Sequence, residues 1–154
     1  MDKREIKFRV WDKNEKTMIN FEEIERIDFT DKTIIVGGYI NFEDIEFIQY
    51  TGLKDKNNKE IYRGDILERK FKGLGYELGD RTLVGWDKYR YVHIWKMEFE
   101  RELKNNQDLG RWFKSRKISK LDLDAHIEDF EVIGNIYENP ELLNKEKEVL
   151  AFNE

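Results

Sequence analysis

QYTGLKDKNNKEIYRGDIL, residues 49–67, carries glycines, charges of both signs and regularly placed apolar residues. Such density suits an active-site loop, a binding loop or a closely specified turn. The polar run Asp55-Lys-Asn-Asn-Lys59 separates two apolar flanks, QYTGL and EIYRGDIL. Asn57 and Asn58 tolerate the left-handed backbone that a short hairpin loop requires. Gly64-Asp65 then supplies a second bend ahead of Ile66 and Leu67. A hairpin accounts for every residue in the stretch without invoking chemistry, and we prefer that reading.

Toward the amino terminus the same pattern recurs. In EIKFRVW, Ile6, Phe8 and Val10 alternate with Lys7 and Arg9, the period of a half-buried strand. Asp12 to Lys16 breaks it, and Met18 to Phe21 returns as a partner. RIDF and TIIVGGYI flank Thr30-Asp31-Lys32 as a second hairpin, with Gly37 and Gly38 permitting a bulge or bend. DIEFIQY sets Ile45 and Phe47 against Ile48 and Tyr50, apolar on both faces, which predicts a central, covered strand.

Beyond the glycine-rich stretch at Gly73, Gly75 and Gly79, RTLVGWDKYRYVHIWKMEF gives the strongest strand signal in the chain. Tyr89, Tyr91, His93, Trp95 and Met97 fall on one face, Val92 and Ile94 on the other. Residues 98–111 are polar and fit either a helix or an irregular loop, and FEVIGNIY supplies a late strand. Asn139-Pro140 gives an N-cap and a first-turn proline, and Leu142, Leu143, Glu146, Val149 and Leu150 continue at helical spacing. Two short echoes, DKNEK at 12 with DKNNK at 55 and EDIEFI at 43 with EDFEVI at 128, have unequal offsets of 43 and 85. They read as reused turn and strand solutions, not a tandem repeat.

These patterns predict a mainly β protein with minor α: short antiparallel strands, a small SH3-like β-barrel and a C-terminal helix from about residue 140. A chain of 154 residues is expected to form one domain, 1–154, subdivided into an N-terminal β segment (1–50), a barrel-like part (51–138) and the helix (139–154). The 39% hydrophobic fraction argues against disorder despite 40% charged residues. A net charge of −5 removes whole-protein attraction to nucleic acid or anionic membrane and leaves only local patches. There is no cysteine, so disulfides, thiol catalysis and thiolate-bound zinc are excluded. MDKREIKFRVWDK lacks a signal-peptide apolar region, and TIIVGGYI is too short to span a membrane, so a cytoplasmic protein is expected.

Little chemistry declares itself. The histidines, His93 and His126, and the serines, Ser115 and Ser119, fall in no nucleophile-elbow pattern, and no phosphate-cradling loop or dinucleotide fingerprint occurs. An enzyme is therefore not expected, and neither is a cofactor. Asp122, Asp124 and His126 alternate as three metal-ligand types, but an exposed polar strand face gives the same pattern and no fourth ligand follows from the spacing. The sharpest alternative is RWFKSRKISK, residues 111–120. Arg111, Lys114, Arg116, Lys117 and Lys120 carry positive charge beside Trp112 and Phe113, as a phosphate-binding, base-stacking segment would. The acidic DLDAHIEDFE follows at once, so an internally paired connection is the preferred reading and a nucleic-acid site the runner-up.

REIKFRVWDK, YTGLKDKNNKEIYRGDI and GNIYENPELL together resemble the YopX-like family of bacteriophage and prophage proteins. All three landmarks stand in order between residues 4 and 143, while Arg69 to Ala125 carries none. Asn58 stands where the family usually has glycine, a swap that the left-handed conformation accepts. The resemblance implies a phage-encoded or prophage-encoded cytoplasmic accessory protein and points to no particular activity, substrate or catalytic residue. Small barrels joined by polar loops act by binding, so regulation through contact with a phage or host protein is the leading expectation.

Overall fold

The computed structural model describes residues 5–73, 76–87, 90–95, 120–124 and 126–143. Strand is the dominant element among the described residues, and no helix among them reaches seven residues, so the molecule is mainly β. No helix among the described residues is long and apolar enough to cross a membrane.

The hairpins predicted at the amino terminus form. β1 (Phe8–Asp12) pairs antiparallel with β2 (Thr17–Ile19) on one side and with β6 (Ile45–Lys54) on the other. β6 also pairs with β7 (Glu60–Tyr62), giving the order β2-β1-β6-β7. β3 (Arg26–Asp28), β4 (Thr33–Ile35) and β5 (Tyr39–Asn41) make a separate three-stranded sheet. Val10, Ile19, Ile34 and Ile45 form the core between these elements. As its two-faced apolar pattern predicts, β6 is a central strand in which Ile45, Ile48 and Tyr50 are all buried.

The third sheet holds β11-β10-β9-β8-β12 and curls into a half-barrel. β8 (Asp65–Gly73), β9 (Tyr76–Asp87) and β10 (Arg90–Trp95) form a meander, β11 (Lys120–Asp122) pairs with β10, and β12 (Glu131–Asn135) returns beside β8. Both faces are covered. Ile66, Leu83, Val92, Ile94 and Leu143 pack on one side, and Ile61, Leu67, Val84, Tyr91, Leu123 and Phe130 on the other.

Turn chemistry explains the short echoes. Asp12 Oδ1 accepts the backbone N–H groups of Asn14 and Glu15, with Lys16 left-handed at φ 56°. Asp55 Oδ1 accepts those of Asn57 and Lys59, with Asn58 left-handed at φ 65°. Both are aspartate-nucleated turns that place one residue in the region asparagine tolerates and lysine seldom enters. The second echo is a 3-10 turn leading into a strand: Phe42–Asp44 into β6 and Ile127–Asp129 into β12. At the predicted C-terminal helix, Pro140–Leu143 is a 3-10 turn in which Leu143 is buried. Residues 144–154 lie outside the described part.

Candidate functional site

The motif residues around 49–67 are spent on holding the molecule together. Lys7 Nζ lies 3.0 Å from carboxylate oxygens of both Glu22 and Glu60. The Tyr62 hydroxyl donates to the other oxygen of Glu60 at 2.8 Å. Hydrogen bonds to Glu22 and Glu60 raise the Lys7 ammonium pKa, and the bond from Lys7 holds Glu22 below its usual range. Glu60 is disfavoured by desolvation, yet hydrogen bonds from Tyr62 and Lys7 outweigh that and lower its pKa. Burial, and then the bond to Glu60, push the Tyr62 phenol up.

Arg9 lies over the Tyr62 ring, 4.5 Å from its centroid, and ion-pairs with Asp65. The second oxygen of Asp65 accepts the Tyr62 backbone N–H at 2.8 Å. Asp65 is only 1% exposed, and burial raises its carboxyl to about 6 against the opposing charge of Arg9. Arg63 reaches Glu46 at 3.0 Å, and the same Glu46 oxygen accepts the Tyr137 hydroxyl at 2.9 Å. Tyr137 packs against Trp11 and closes over Gly64, where a Cβ would stand 3.0 Å from the Tyr137 ring. Gly64 is also left-handed, at φ 84°. KFRVW, EIYRGD and NIYENP thus close on one another, and their charges are answered inside the fold.

Beside this network lies a groove of about 510 Å³. Ile6, Phe8, Ile27, Phe29 and Phe47 give it an apolar wall, with Trp86 and Tyr91 from the half-barrel and Lys7, Gln49 and Arg63 among them. An unbroken series of aromatic contacts runs along it. Phe21 meets Phe8 with ring centroids 5.2 Å apart, Phe8 meets Phe47 at 5.4 Å, Phe47 meets Phe42 at 5.3 Å and Phe42 meets Phe29 at 6.1 Å, all near edge-to-face. Much of this surface is uncovered: Ile6 is 84% exposed, Phe29 77%, Phe21 39% and Phe47 37%. Single exposed apolar residues are ordinary, whereas a contiguous set lining a concavity marks a surface that gains when covered.

The sequence placed these side chains on strands but did not mark them as a site. Period-two alternation tells which residues share a face; it does not tell whether another layer covers that face. The patch also draws on segments near residues 6–8, 21, 27–29 and 42–47, which no local window joins.

Among the described residues, none of those singled out in the sequence for nucleic-acid or metal binding lines the groove. Arg111, Trp112, Phe113, Lys114, Arg116 and Lys117 lie outside the described residues; Lys120 opens β11 opposite Ile94. Asp122 ends β11 and pairs with Arg90, so Asp122, Asp124 and His126 do not continue along one strand face. His126 is left-handed and exposed, and its ring, Glu128 and Asp129 place their ligand atoms within 4.8 Å of one another. Exposed acidic groups gather this way without any ion.

His93 is fully buried, with Nδ1 2.8 Å from Thr82 Oγ1 and its ring 4.5 Å from that of Phe130. Burial lowers its pKa to about 4, opposed by hydrogen bonding with the Leu123 backbone and assisted by the Arg69 charge. It is a neutral core residue at physiological pH. Among the described residues, neither histidine lines the groove.

Comparison with known proteins bears on the whole of this arrangement. The family model described as YopX protein matches residues 7–144. The crystal structure of protein EF1440 from Enterococcus faecalis is similar, with a TM-score of 0.59 and 24% identity, covering 92% of this chain and 99% of that one. Comparison with curated proteins finds no match. The structural likeness speaks for the fold.

Proposed function

We propose, from the premise that the chain belongs to the YopX family, that it is a non-enzymatic binding module that regulates another protein by direct contact. The exposed aromatic groove carries this reading. Aromatic anchors in a concave, water-excluding site are where protein interfaces concentrate their energy, and Phe8 and Phe47 are already held by neighbouring rings before any partner arrives. The network of motif charges supports it too, because its groups are engaged with one another, Lys7 with Glu22 and Glu60 and Arg63 with Glu46, and hold the strands that carry the aromatic wall.

The protein acts, on this reading, as a phage or prophage accessory protein in the cytoplasm of the bacterial host, with a phage or host protein as partner. The half-barrel serves as an SH3-like scaffold whose Trp86 and Tyr91 complete the groove. Ile6→Ser with Phe29→Ser tests the assignment, since both side chains are mostly exposed and their loss leaves the core intact. Affinity capture from infected host cells is expected to retain a partner with the native chain and to lose it with the double variant. A partner retained equally by both would remove the groove from the interface.

A further inference from the structure

The charge of the chain is not spread evenly over it. Between Asn20 and Ile48 there are eight acidic residues against two basic ones, Arg26 and Lys32, a local balance of −6. The whole chain carries −5, so everything outside this stretch is balanced to within one charge. The same stretch supplies Phe21, Ile27, Phe29, Phe42 and Phe47 of the aromatic surface.

Glu22, Glu23, Glu25 and Glu43 are exposed, and Asp28 stands between the lining residues Ile27 and Phe29. The cations of the groove offset only part of this field. Lys7 is shared by Glu22 and Glu60, and Arg63 is engaged by Glu46. An apolar floor with a negative rim discriminates among occupants. A second copy docking the same face would set the −6 stretch against itself, and nucleic acid would be repelled by it.

We infer that the groove takes a segment of a partner protein that combines large apolar side chains with flanking lysines or arginines. The apolar side chains cover Phe29, Phe47 and Ile6, and the cationic flanks meet Glu22, Asp28 and their neighbours. The inference rests on the proposed binding role and adds the chemistry of the partner. Steering by the rim then makes association faster at low salt, and the apolar floor sets the residence time.

Selection from a random peptide display library on the immobilised native chain tests it. The expected outcome is a consensus of aromatic or aliphatic residues flanked by Lys or Arg, with enrichment abolished on the Ile6→Ser, Phe29→Ser variant. A synthetic peptide of that consensus is expected to bind roughly tenfold more weakly to the Glu22→Lys, Asp28→Lys variant. It is also expected to weaken as salt rises through the physiological range. Enrichment that depends on Ile6 and Phe29 but yields a neutral or acidic consensus overturns the cationic inference and leaves the binding role standing. Enrichment that ignores those residues, or none at all, overturns both. Concentration-dependent dimerisation of the native chain that is lost in the Ile6→Ser, Phe29→Ser variant would assign the groove to a second copy and overturn the inference as well.

Discussion

Asp55 ties two distant stretches of backbone with one carboxylate. Its Oδ1 accepts the N–H groups of Asn57 and Lys59, and its Oδ2 accepts that of Val132 in β12 at 2.8 Å. The side chain is 6% exposed, so these bonds are made away from competing water. An amide in its place keeps one acceptor and turns a donor toward one of the N–H groups. Asp55→Asn is therefore expected to cost nearly as much as Asp55→Ala, about 2–4 kcal/mol in urea denaturation. An Asn variant within about 0.5 kcal/mol of the native chain would show that the carboxylate is not the staple described. The polar loop that the sequence assigns to a hairpin turn is polar because it must satisfy three backbone donors.

Elements succeed here where local pattern and tertiary packing agree. β12 does so with an interruption: its register to β8 shifts between Val132 and Gly134, and the 3-10 turn at Pro140–Leu143 lies against the irregularity. A Cβ on Gly134 would come within 2.6 Å of Asn139 Oδ1 and 2.7 Å of Leu142 Cδ1. Arg81 fastens the same turn by donating to the Leu142 carbonyl at 2.6 Å while pairing with Glu68 at 2.9 Å. Leu143 completes the core beside Ile66, Leu83, Val92 and Ile94. Leu143→Ala is expected to cost about 2–5 kcal/mol through its cavity, and Gly134→Ala about 1–3 kcal/mol by displacing the turn. Thermal or urea unfolding checks both, and a loss below about 0.5 kcal/mol for each would mean that the turn is peripheral. The hairpins at β1–β2 and β3–β4 and the central β6 were legible because alternation and aspartate-nucleated turns are local. The turn at Pro140–Leu143 was only half legible. Pro140 correctly marked a turn, but helical spacing alone does not distinguish an α from a 3-10 first turn. The groove was illegible, because widely separated segments of both halves of the chain build it and exposure is decided by what packs above a strand, not by the strand.

For the whole molecule, the sequence predicted charges that cancel; the fold buries two titratable groups whose effects on stability oppose each other. Asp65 is raised to about 6 in the fold from an ordinary value of 3.8. Between those values the folded chain holds more protons than the unfolded one, so this group makes stability fall as pH rises from about 4 to 6. His93 is lowered to about 4 from 6.5. Across that window the unfolded chain holds the extra proton, so stability rises with pH from about 4 to 6.5. Each effect amounts to roughly 3 kcal/mol over its window, and neither side chain is open to solvent screening. The two nearly cancel in the native chain between pH 4 and 6. Asp65→Asn removes the falling contribution, and its stability relative to the native chain is expected to increase steadily from pH 4 to pH 6. His93→Gln removes the rising contribution, and its relative stability is expected to decrease between pH 4 and 6.5. Taking differences against the native chain eliminates carboxylates such as Glu22 and Asp28, whose depressed values act alike in all three proteins. Urea midpoints at half-unit pH steps measure the slopes. Two variants whose offsets from the native chain stay constant with pH would show that neither group titrates differently on folding. An Asp65→Asn difference that is flat above about pH 4 while the His93→Gln difference slopes would show that Arg9, not burial, governs Asp65, for an ion pair strong enough to depress that carboxyl would move its titration below the ordinary value of 3.8.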